Sequence, residues 1–67
     1  MAAEQRAPHF VRPAYLLEGD MLVLPREPAP VEVDQVWWVE ADQEWSVYTA
    51  CGRLLSFGPW NLLLLTK

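Results

Sequence analysis

Few side chains in this sequence are suited to nucleophilic or acid–base chemistry: one histidine, His9, one cysteine, Cys51, and two serines, Ser46 and Ser56. A serine or cysteine nucleophile needs a base held against it, and the base needs an orienting partner. His9 lies between Pro8 and Pro13, and neither serine has an evident base nearby. Cys51 falls on the inward parity of an expected strand, where a cysteine acts as a small hydrophobe. Glu32 with Asp34, and Glu40 with Asp42 and Glu44, are carboxylate sets that hard cations favour, but their spacing is not that of a calcium loop. One cysteine and one histidine cannot close a structural zinc site. The sequence therefore predicts no enzyme, no metal and no cofactor.

The elements that must position any site centre on Val31 to Cys51, VEVDQVWWVEADQEWSVYTAC. Side chains on a strand alternate between faces. Strict alternation puts Val31, Val33, Gln35, Trp37, Val39 and Ala41 on one face, with Glu32, Asp34, Val36, Trp38, Glu40 and Asp42 on the other. The second run splits into Trp45, Val47, Thr49 and Cys51 against Ser46, Tyr48 and Ala50. Matching apolar face to apolar face predicts a hairpin with loop Asp42-Gln43-Glu44 and inward pairs Ala41–Trp45, Val39–Val47 and Trp37–Thr49. Trp38 then stands beside Tyr48, and Val36 beside Ala50, on the outside. A one-residue slip would turn the whole set over.

Sixty-seven residues allow one domain near the lower size limit for folding alone. A single cysteine permits no internal disulfide, so packing, assisted by a partner or a second copy, must supply the stability. Nine acids against five bases give a net charge of −4. Nucleic-acid binding normally runs on basic surface, so this balance argues against it. The N-terminus has no apolar signal segment, and the Leu62–Leu65 run is far too short for a bilayer. The expectation is a cytoplasmic protein without membrane contact.

Along the chain, residues 1–13 are expected to form a disordered tail, with His9 to Arg12 able to make a short edge strand, and residues 14–67 a single domain. Glu18-Gly19-Asp20 is a turn, and Met21 to Leu24 a buried strand stopped by Pro25. Residues 25–30, PREPAP, form an extended loop whose P-x-x-P spacing also suits a proline-binding partner. Gly52-Arg53 turns into Leu54 to Phe57, Gly58-Pro59 breaks that strand, and Leu62 to Leu65 closes the fold. No ten residues carry clean helical periodicity. The expected class is all-β: a small five-stranded antiparallel barrel.

Over residues 15–66 this layout resembles an SH3-type barrel. The turn at Glu18-Gly19-Asp20, the long connection, the central ribbon and the Gly58-Pro59 break carry the resemblance. It implies an SH3-like architecture and no ligand, because of the early aromatic set of a proline-peptide groove only Tyr15 is present.

The parity split makes Trp38 and Tyr48 the candidate binding centre, with Val36 beside them, Glu32, Asp34 and Glu40 as an acidic rim, and Trp60 as a third ring if its turn folds over the ribbon. Exposed aromatics are favoured interface anchors, and carboxylates around them select a basic partner. The expected function is a protein-interaction module that takes a basic protein or a second copy of itself. One alternative is an acidic inhibitor or nucleic-acid charge mimic from a phage or mobile element. A second is a barrel that binds single-stranded oligonucleotides by stacking.

Overall fold

A computed structural model of the chain describes residues 9–66. Six strands form one antiparallel sheet: β1 (His9–Val11), β2 (Met21–Val23), β3 (Val31–Val39), β4 (Glu44–Thr49), β5 (Leu54–Phe57) and β6 (Leu63–Leu65). Their order across the sheet is β1-β6-β2-β3-β4-β5. A 3₁₀ turn, Pro13–Tyr15, follows β1, with proline at its first position, where a missing N–H costs nothing.

The all-β class expected from the sequence is present, but the closed five-stranded barrel is not. A strand has two edges, and both edges of β6 are taken, by β1 and by β2. β6 is therefore unable to pair with β5, and β1 and β5 remain as the two ends of an open sheet. The edge strand expected at His9 exists, so the sheet begins inside the stretch assigned to the tail; residues 1–8 of that stretch lie outside the described residues. The Arg12 guanidinium joins this end of the sheet to the turn after β5: Nη1 donates to the Trp60 carbonyl at 3.2 Å, and the group sits 5.4 Å from the centre of the Trp60 ring.

The core is small. Leu16, Leu22, Val33, Val47, Leu63 and Leu65 are buried, with Val11, Leu24, Val31, Val36, Leu55 and Phe57 packed around them. Thr49 is fully buried among them, and its hydroxyl accepts the Arg53 N–H at 3.0 Å, so its polar atom is satisfied. Loop 24–30 is not the extended segment expected: it turns, with the Glu27 N–H donating to the Leu24 carbonyl at 3.2 Å, and Glu27 forms an ion pair with Arg53 at 3.0 Å.

The register of the central hairpin departs from strict alternation. Val33 pairs with Thr49, but the next pair is Gln35 with Tyr48, so Asp34 has no opposite residue. This is a β-bulge, and one extra residue reverses the parity of everything beyond it. The observed pairs are Val36–Val47, Trp37–Ser46, Trp38–Trp45 and Val39–Glu44, in place of Ala41–Trp45, Val39–Val47 and Trp37–Thr49. The connecting loop is residues 40–43, closed with Gln43 in the left-handed region at φ 55°. Cys51, expected to point inward, lies in the loop after β4 and is exposed.

Candidate functional site: an aromatic face and the groove beside the β3 bulge

Two sets of contacts hold β3 at the bulge. On one side Val33 pairs with Thr49 of β4. On the other, its carbonyl accepts the Gly19 N–H at 2.8 Å and its N–H donates to the Asp20 carbonyl at 2.8 Å. The turn that makes these bonds is built by Asp20, whose Oδ2 accepts the Leu17 N–H at 2.8 Å, and by Gly19, whose φ of +94° suits a residue without Cβ. Leu16, Leu17 and Glu18 are thereby fixed alongside Asp34, Gln35, Val36 and Trp37. Between the two segments runs an open groove of about 530 Å³.

Beyond the bulge, register separates the side chains. Val36 and Trp38 turn toward the inner side, where Val36 packs against the core. The Trp38 ring meets Trp45 at 5.3 Å between centroids with a 60° tilt, a favourable aromatic geometry. Its indole N–H donates to Glu40 Oε1 at 2.8 Å, and the Gln43 amide donates to Glu40 Oε2 and to the Glu40 carbonyl, both at 3.0 Å. Gln35, Trp37 and Val39 share the outer face with Tyr48, Ser46 and Glu44 of β4, and with Leu54 and Ser56 of β5. Trp37 is 41% exposed, Tyr48 38% and Leu54 61%. Trp37 faces Ser46, one residue pair diagonally from Tyr48, within reach of a large ring across strands.

The residues singled out from the sequence are therefore divided. Tyr48 is on the outer face as expected; Val36 and Trp38 are on the opposite one, because the bulge intervenes. Asp34 is half-buried at the bulge and lines the groove. Glu32 is exposed opposite Met21 of β2, Glu40 is engaged with Trp38 and Gln43, and Trp60 is 78% exposed in the turn held by Arg12. Trp37, Leu54, Leu17 and Glu18 were not picked out by alternation. The signal for Trp37 was Asp34-Gln35, two adjacent polar residues between valines where alternation allows one; that signal does not mark Leu54, Leu17 or Glu18.

The side-chain carboxylates of Glu18 and Asp34 have no hydrogen-bond or ion-pair partner among the described residues. No cationic side chain lines the groove. No three His, Cys, Asp or Glu side chains group as a metal site among the described residues. Chemically the arrangement offers an exposed indole, a leucine, two carboxylates and strand backbone, which suit recognition. Compared with known proteins, the chain matches no family model, no curated protein and no solved structure.

Proposed function

We propose that this chain is a non-enzymatic protein-interaction module that docks its partner on the outer face of β3–β5 and the adjoining groove. The observation that carries the reading is the shared exposure of Trp37, Tyr48 and Leu54 on one face of the sheet. Large aromatics at the centre of a patch are the side chains that dominate binding energy. Uncovered apolar patches on so small a domain mark interaction surfaces. Asp34, Glu18 and Glu44 around that face favour a basic partner over an acidic one.

The strand order β6-β2-β3-β4-β5, with the Gly19 turn before β2 and the Gly58-Pro59 break before β6, supports reading the sheet as an opened SH3-like layout with an added N-terminal edge strand. Stacking of single-stranded nucleic acid is the weaker alternative, because it needs cations along the strand path. Arg12 is engaged with Trp60 and Arg53 with Glu27. A charge mimic would depend on the acids alone and fade steeply with salt.

The test is retention from an extract of the source cells on the immobilised chain and on Trp37→Ala. The expected result is a species held by the wild type and lost with W37A, whose melting curve is unchanged within about 0.5 kcal/mol. If the retained species is the chain itself, the partner is a second copy. Equal retention by W37A overturns the reading.

A further inference from the structure

The Trp37 side of β3 has a second property that the aromatic face alone does not use. β3 pairs with β2 only at Val31 and Glu32, and with the Gly19–Asp20 turn at Val33. Past the bulge, Gln35 to Trp38 pair with β4 on one edge and, among the described residues, have no backbone partner on the other. That vacant edge borders the groove lined by Leu16, Leu17, Glu18 and Asp34. A row of unpaired N–H and C=O groups is a template for an added strand. Here it is flanked by two carboxylates that no neutralising group meets.

We infer that the groove binds an extended, arginine-bearing segment of a partner protein, which adds as a strand to the free edge of Gln35–Trp38 and places a guanidinium against Asp34 and Glu18. Three independent features converge on that occupant. The vacant backbone edge selects an extended conformation. The two carboxylates lining the groove, in a chain of net charge −4, select a cation. Exposed Trp37 and Leu17 at the rim accept apolar side chains, and the indole face also attracts a guanidinium. Arginine fits better than lysine because its planar fork presents several donors to two carboxylates at once. A second acidic copy of this chain is disfavoured at this groove for the same electrostatic reason.

The inference rests on the reading of this face as a docking surface, and the experiment separates the two. The probe is acetyl-Leu-Arg-Val-Arg-Leu-amide, in which alternation gives arginines and apolar residues a face each. It is titrated into isotope-labelled full-length chain beside its citrulline isostere and a version with alternate backbone nitrogens methylated. The arginine peptide is expected to shift the amide signals of Leu17, Glu18 and Gln35–Trp38 and the Trp37 indole signal. The citrulline peptide should bind about tenfold or more weakly, the scale of losing charge-assisted hydrogen bonds. Glu18→Gln with Asp34→Asn should lose the same factor, with thermal stability unchanged because neither carboxylate has an internal partner. The methylated peptide should fail.

Equal affinity for the citrulline peptide, shifts confined to other residues, or no binding of any probe overturns the inference. W37A-sensitive retention without arginine dependence then leaves the docking face standing with a different occupant. W37A-insensitive retention removes the face as well.

Discussion

With Leu22 cut back to alanine, the chain is expected to lose about 3 kcal/mol of folding stability, the cost of a cavity at a site that cannot collapse. Leu22 is fully buried on β2, paired on one side with Val31 of β3 and on the other with Leu65 of β6. It therefore joins the two halves of the sheet, and no neighbouring strand can move in without breaking its own pairing. A chain of 67 residues has about 3–10 kcal/mol in total. Losing about 3 kcal/mol thus removes from roughly three-tenths to all of what holds it folded. Urea unfolding followed by tryptophan fluorescence checks this: the midpoint should fall sharply, and the native baseline should shorten or vanish. An unchanged midpoint would mean that the core lies elsewhere.

Trp38→Ala carries the second large effect. The ring is half-buried, stacked at a tilt against Trp45, and its N–H is satisfied by Glu40. Truncation removes a large apolar area, the aromatic pair and the contact that orders loop 40–43, together about 2 kcal/mol. The same substitution at Trp37 removes a ring that is 41% exposed and should cost little in folding. Adjacent tryptophans should thus separate: loss of stability at Trp38, loss of partner binding at Trp37. Differential scanning calorimetry on the two variants reads the first half of that split. Similar melting temperatures for both would contradict it.

The strand inventory was legible because its signals are local. Proline and glycine stop the runs at Pro25, Gly52 and Gly58-Pro59, and β-branched and aromatic residues fill the segments between them. Loop 24–30, the Glu18-Gly19-Asp20 turn and the edge strand at His9 follow from the same local chemistry. The parity of Trp37 and Trp38 was not legible by simple alternation. It depends on whether Asp34 is paired or bulged, and that is decided by the distant turn at Gly19 and Asp20, which grips Val33 and leaves Asp34 without a partner. The inward valines are spaced 31, 33 and 36. A change from even to odd spacing is the mark that a bulge leaves.

Closure was missed for a related reason. The sequence shows Leu62–Leu65 as apolar on both faces, which marks a strand covered on both sides and placed inside the sheet rather than at its end. It does not say which neighbours. β1 and β2 fill those places, so the sheet stays open. Cys51 is a third case: a loop of residues 50–53, with Gly52 at φ +95° and Thr49 holding the Arg53 N–H, ends β4 two residues earlier than the apolar pattern suggests.

Because the bulge sets which indole faces out, the binding face, the groove and the contrast between the two tryptophan variants share one geometric origin. Side-chain NOEs in isotope-labelled protein test it directly. Ring-to-ring cross-peaks are expected between Trp38 and Trp45 and none between Trp38 and Tyr48, since those two rings lie on opposite sides of the sheet. Cross-peaks joining Trp38 to Tyr48, with Trp37 close to Thr49, would contradict it.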